Sequence, residues 1–291
     1  MSMPEGTGSV AVVTGGTSGI GRLLARDLAA DGMTVAVVGR SETRGAALVS
    51  DTEGLEGAIR FHRTDLSTRN AVRSLARELL TTYDRIDVLV HNAGCSSSRR
   101  VETEDGFELT LAVNHLAPYL LTHELLDRLV ASAPARIVVT ASGIHTRASL
   151  EFDDLGCERE YDALDAYARS KLANIAFTVE LADRLPTESG VTANCVHPGF
   201  IPSTNLFRDS SLRTRLLIRA AALVPGVGTT EREGAERLRS LVMDPMYGDR
   251  TGEYVTGDGP TAPSAEATDP AVREMLWNVS ADLVGVDPDW P

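Results

Sequence analysis

Short apolar runs, SVAVVTG, MTVAVVGR, AIRFHR, IDVLVHN, ARIVVTAS and VTANCVHP, recur between residues 9 and 198, separated by helix-patterned stretches such as GRLLARDLAADG and AVRSLARELLTTYD. This alternation constrains the fold more than any other feature of the chain. Strands that are apolar almost throughout, rather than at every second position, belong in a parallel sheet covered on both faces. Parallel neighbours need a crossover long enough to hold a helix, and these intervals supply one. The pattern predicts an α/β fold, a doubly wound parallel sheet with helices on both faces, whose ligand crevice lies beyond the carboxyl ends of the strands. No repeat, low-complexity tract or Pro/Gly linker divides the sequence, so residues 1–291 are expected to form a single domain. Beyond Gly257 the composition shifts toward Pro, Asp and Ala; residues 258–291 are expected to wrap the surface as a tail, with one short helix around Val272 to Leu283.

The formal net charge of -13 and a pI near 4.9 argue against nucleic acid or an anionic membrane as the main partner, since both demand concentrated positive charge. A small-molecule ligand fits better. The opening MSMPEGTGSV lacks the cationic start and apolar run of a secretory signal, and LLIRAAALVPGVG is too short and interrupted to span a bilayer, so a soluble cytoplasmic protein is expected. Cys95, Cys157 and Cys195 are odd in number and far apart, which predicts reduced thiols and no metal knuckle. HELLD, from His123, lacks the second histidine of a zinc helix motif and reads as a helix face.

TGGTSGIG, Thr14 to Gly21, follows the first apolar run and opens a helical segment. Gly15, Gly19 and Gly21 permit a tight turn and close approach of backbone to ligand, while the helix start offers free N–H groups and a positive dipole end to a pyrophosphate. An acidic residue after the second strand would accept hydrogen bonds from the adenosine ribose and favour NAD. This chain has Arg40 there and Arg44 one helical turn on, where a ribose 2′-phosphate can be gripped, so NADP(H) is the expected cofactor. Asp65 suits either an adenine amino group or a helix cap, a role Ser67 can also fill.

YARSK contains Lys171, the only lysine among 28 Lys and Arg residues. Arginine is planar and permanently charged, whereas lysine is a compact charge whose pKa answers to its surroundings. On a helix Tyr167 and Lys171 share a face, so both can act on one small molecule.

In these motifs the chain resembles the short-chain dehydrogenase/reductase family from about Ser9 to Gly199. TGGTSGIG matches the family's glycine motif, and HNAG its NNAG motif, with His91 in place of the first asparagine and Asn92, Ala93 and Gly94 intact. Asn114, Ser142, Tyr167 and Lys171 match the catalytic tetrad. FDDLGCEREYDALDAYARSKLANIAFTVELADRL, together with the long Ser142 to Tyr167 spacing, is similar to the branch of retinol dehydrogenases and relatives of protochlorophyllide reductase. The resemblance implies a Rossmann fold with strand order 3-2-1-4-5-6-7, use of NADP(H), apolar carbonyl or alcohol substrates, and a possible homodimer or homotetramer. It implies cofactor contacts from Gly15, Thr17, Ser18, Gly19, Ile20, Gly21, Asp65, Leu66, Asn92, Ala93, Gly94, Thr140, Tyr167, Lys171, Pro198, Gly199, Ile201 and Ser203, with Thr204 an alternative to Ser203. It also implies a substrate lid at 200–228 and an Asn114-held water linking Lys171 to solvent; the lid's apolar residues recur at helical spacing, which leaves its arginines to face solvent or an acidic or polyketide-like substrate. His145 and Cys95 are placed near the pocket.

The chemistry agrees with those roles. Reduction of a ketone leaves an alkoxide that must receive a proton. A free phenol, with pKa near 10, exchanges protons poorly near neutrality; a neighbouring ammonium and an oxidised nicotinamide are expected to lower that value. Ser142 would polarise the substrate oxygen. The sequence therefore predicts an NADP(H)-dependent oxidoreductase interconverting a carbonyl and an alcohol on a mostly apolar small molecule, with a bacterial composition. The alternatives are C=C reduction or redox-neutral cyclisation or epimerisation on the same scaffold, and, from another class, a non-catalytic redox sensor, for which a proton donor would be superfluous.

Overall fold

The computed structural model describes residues 8–202 and 228–291. The lid expected at 200–228 and Ser203 and Thr204 therefore lie almost wholly or wholly outside the described residues. Among the described residues, eight strands form one sheet in the order β3-β2-β1-β4-β5-β6-β7-β8. They are β1 Val10–Thr14, β2 Thr34–Gly39, β3 Ala58–Arg63, β4 Val88–His91, β5 Ala135–Thr140, β6 Val191–Val196, β7 Tyr254–Thr256 and β8 Gly259–Pro260. All neighbouring pairs are parallel except β7 and β8, an antiparallel hairpin that adds an eighth strand to the expected seven.

Among the described residues, the α-helices are α1 Gly19–Ala30, α2 Glu42–Ser50, α3 Arg69–Thr82, α4 Leu109–Leu111, α5 Ala117–Ala131, α6 Ala163–Arg184, α7 Glu231–Met243, α8 Ala265–Thr268 and α9 Pro270–Val284. Alternate strand residues feed two cores. On one face Ala11, Val13, Val35 and Val37 pack with Leu24 and Leu28 of α1 and Leu238 and Leu241 of α7. On the other, Val10, Val12, Ile137 and Val139 pack with Leu75, Leu120, Phe177 and Trp277 of α3, α5, α6 and α9. Both faces are buried, which is why the strands carry no polar alternation.

The segment beyond Gly257 departs from expectation. Instead of wrapping the surface, it enters the second core: α9 buries Leu276, Trp277 and Ala281, and Trp290 packs against Trp277 and Tyr119. Trp290 Nε1 donates to the Tyr119 hydroxyl at 3.0 Å, and Trp277 Nε1 to the Pro288 carbonyl at 2.9 Å, so both indoles bury their area without leaving a donor unpaired. Two tryptophans in a chain with 5% aromatic residues were the available signal.

Candidate active site

The crevice is assembled where β1 and β4 end. The Thr14 hydroxyl donates to the Val90 carbonyl at 3.2 Å and accepts from the N–H groups of Asn92 and Ala93 at 3.0 and 3.1 Å. The Asn92 amide donates to the carbonyls of Thr14 at 3.0 Å and Gly15 at 3.3 Å. Close approach dictates the glycines: a Cβ on Gly21 would fall 2.3 Å from Asn92 Nδ2, and one on Gly15 2.8 Å from Ala93 Cα. Asn92 and the glycine turn thus form one unit, with Asn92 as its clamp. His91, in the position of the first asparagine, turns its Nε2 to the Thr122 hydroxyl at 2.8 Å; burial drives its pKa down to about 3, so the ring is neutral.

The same turn suits a dinucleotide. Gly19 has φ +54 and open space around a would-be Cβ. Ser18 makes no side-chain cap bond, and no acidic residue occupies the first turn of α1, so the helix start keeps N–H groups and its positive dipole end for an anion. At the end of β2, Gly39 pairs in register with Arg63 of β3, so the backbone of a third arginine lies next to the residue that precedes Arg40. All three are exposed and form no ion pair with any described residue. Arg63 escaped the sequence reading because only strand register brings it next to Gly39. Asp65 is exposed and accepts the Ser67 N–H at 3.1 Å, bracing the turn into α3; the cap of α3 is Thr68, not Asp65 or Ser67, and accepts from Ala71 N at 3.3 Å. Leu66 is buried in the second core.

The tetrad residues come from three places: a π-helical turn, the end of β5, and α6, which carries both Tyr167 and Lys171. Asn114 lies in a π-helical turn, Ala112–Leu116, between α4 and α5. Its amide donates to the Cys95 carbonyl at 3.0 Å and the Ser170 hydroxyl at 2.9 Å, and its Oδ1 accepts from Cys95 N at 2.8 Å. Ser170 in turn donates to the Tyr167 carbonyl at 2.7 Å, a bridge from Asn114 to α6 that the sequence reading missed although Ser170 stands inside YARSK. Ser142 follows β5, and its hydroxyl bonds the Tyr167 phenol. Lys171 is 2% exposed, lies 5.6 Å from the Tyr167 ring centroid, and donates from Nζ to the Thr140 carbonyl at 2.8 Å. Thr140 Oγ1 is buried with no partner among the described residues.

The expected lowering of the tyrosine pKa does not hold for the protein alone. Burial raises the Tyr167 phenol well above its usual range, with only partial relief from the Ser142 hydroxyl. Burial likewise brings Lys171 down to about 8. The Cys95 thiol is pushed up to about 12 by burial and is no nucleophile. At the far side of the crevice, Pro198 accepts from Arg237 at 3.1 Å, Gly199 has φ +102, and buried Ile201 packs over Gly234. Among the described residues no group of three acidic, His or Cys side chains could hold a metal, and no helix is long and apolar enough to cross a membrane.

A glycine turn opening a helix at the first strand, with a Ser, Tyr and Lys set across the crevice, defines a dinucleotide-dependent oxidoreductase scaffold. The chain belongs to the short chain dehydrogenase family, whose model matches residues 9–214. Human retinol dehydrogenase 12 is 38% identical over 283 residues, 96% of this chain and 87% of that protein. An uncharacterized protein from Mycobacterium paratuberculosis superposes with a TM-score of 0.77 at 28% identity, covering 98% of this chain and 96% of that one. A short chain dehydrogenase from Burkholderia cenocepacia J2315, solved in complex with NADP, superposes with a TM-score of 0.68 at 28% identity over 87% of this chain and 97% of that one.

Proposed function

We propose that this NADP(H)-dependent oxidoreductase interconverts a carbonyl and an alcohol on a mostly apolar small molecule, with Tyr167 as general acid and base. The observation that carries the reading is the buried Tyr167 phenol, bonded to the Ser142 hydroxyl, with Lys171 one helical turn behind it on the Thr140 carbonyl. The start of α1 would hold the pyrophosphate of NADP(H), and the exposed Arg40, Arg44 and Arg63 would hold its 2′-phosphate. When bound, the cofactor supplies or accepts the hydride.

The chain's own residues do the rest. Ser142 orients the substrate oxygen toward the phenol and stabilises charge developing there. Tyr167, protonated through the neutral range because burial disfavours its anion, passes its proton to that oxygen during reduction. Lys171 steadies the resulting phenolate and, through Thr140, fixes the end of β5. Asn114 ties Cys95 to Ser170 and thereby sets α6 against the loop that follows β4.

The name of human retinol dehydrogenase 12 makes retinal a natural first member of a carbonyl panel, followed by medium-chain aldehydes and aromatic ketones. NADPH consumption across that panel tests the reading. Tyr167→Phe should lose about 10²–10⁴ in kcat while keeping NADPH binding, since that is what a positioned proton donor contributes. Turnover unchanged by the substitution would end the assignment.

A further inference from the structure

Three residues beyond Ser142 stands His145, in the 3₁₀ turn Gly143–Arg147 that leads away from β5. Its ring nitrogens each have one partner, and the partners leave no choice of tautomer. Nδ1 lies 2.8 Å from the Ser142 carbonyl oxygen, which can only accept, so Nδ1 carries the hydrogen. Nε2 lies 3.1 Å from the backbone nitrogen of Ser264, which can only donate, so Nε2 is bare. A neutral imidazole satisfies both contacts and an imidazolium cannot, in keeping with the downward pull of burial on this ring's pKa.

The far partner belongs to a distant part of the chain that closes over the same turn. Ser264 precedes α8, and from α8 the Glu266 carboxylate accepts the Leu150 N–H at 2.7 Å and the Ser149 hydroxyl at 3.0 Å. The Tyr254 ring packs edge-on against His145 at 5.2 Å. The Ser142 carbonyl also accepts the backbone N–H of His145 at 3.2 Å, so residue 145 holds that peptide by main chain and side chain together.

We propose that His145 is a positioning residue: as the Nδ1–H tautomer it ties the Ser142 carbonyl to the Ser264 N–H, and so sets the angle at which the Ser142 hydroxyl meets Tyr167 and the substrate oxygen. The inference rests on the carbonyl-reductase reading of the site for its effect on turnover, but not for the tautomer itself. No step of proton transfer passes through His145.

Two kinds of measurement test it. On the NADPH-saturated protein at neutral pH, a long-range ¹⁵N–¹H spectrum, assigned by loss of one of the six histidines in His145→Asn, should show a protonated Nδ1 and a bare Nε2 for His145. The reverse tautomer overturns the proposal whether or not a substrate is known. For turnover, the asparagine amide nitrogen stands where Nδ1 stands and a glutamine amide where Nε2 stands. With the best carbonyl of the panel, His145→Asn should keep kcat within about threefold of the parent, whereas His145→Gln and His145→Phe should lose about tenfold to a hundredfold, the range expected of a misplaced catalytic group. KM for NADPH and the melting temperature should be unchanged among the three, which separates positioning from misfolding. Equal activity in Asn, Gln and Phe variants, or rescue by Gln but not Asn, overturns the proposal. If no carbonyl on the panel is reduced by the parent protein, the function reading fails while the spectrum still decides the tautomer.

Discussion

Lys171 can do what none of the chain's arginines can, because a compact ammonium tolerates burial and its charge responds to the environment. Held at about 8 by burial, Lys171 is charged below that pH and neutral above it. The carbonyl-reducing kcat should therefore fall as pH rises through about 8, where the phenolate would lose its neighbouring charge. Lys171→Arg should flatten that limb, since arginine stays protonated, while lowering the maximum because its planar fork reaches differently; a limb that persists in the variant would assign it to another group. At the cofactor's far end, Arg40→Ala should weaken NADP binding by about tenfold or more and leave NAD binding nearly unchanged, the loss of one charge-assisted hydrogen bond of about 1.5–3 kcal/mol. Fluorescence titration with both cofactors measures the ratio, and Arg63→Ala should move it in the same direction. In the sequence, helix spacing alone put Tyr167 and Lys171 on one face, as α6 does, whereas Asn114 and Ser142 stood out only through the family resemblance. The raised pKa of the phenol and the place of Arg63 were not legible, since burial and strand register exist only once the chain has folded.

Elements were legible to within a few residues wherever one force decided them. AIRFHR coincides with β3, and the expected C-terminal helix around Val272 to Leu283 is α9, Pro270–Val284. The π turn at Ala112–Leu116 left no comparable mark, because hydrogen-bond spacing is not written in hydrophobic periodicity. Between elements, single polar side chains make the joints. Arg136, buried at the start of β5, donates from one nitrogen to the carbonyls of Leu241, Val242 and Asp244, fastening the end of α7 to the sheet. Arg136→Met would leave those carbonyls short of a partner and should cost about 2 kcal/mol or more in urea unfolding. Gly21→Ala would push a methyl into the Asn92 amide, so it should lower the melting temperature and NADP affinity together, whereas Ala substitution at the exposed Gly54 loop should spare the affinity.

At the scale of the whole molecule, the α/β layering follows from strands that are apolar on both faces, which is why it could be read in advance, while the inward course of residues 258–291 depended on where two tryptophans find partners. Trp290→Ala should cost about 3–5 kcal/mol, the range for emptying a large aromatic from a core, and calorimetry would register it as a loss of the cooperative transition's midpoint; a shift near zero would mean the aromatic cluster does not support the fold. The buried amine of Lys171 has a further use at this scale. No other side chain offers a primary amine, so an acylating reagent that labels amines can mark the interior at one position only, and the rate of that mark becomes a clock for how often the crevice breathes. NADP should slow the clock, and a variant that loosens the joints described above should speed it.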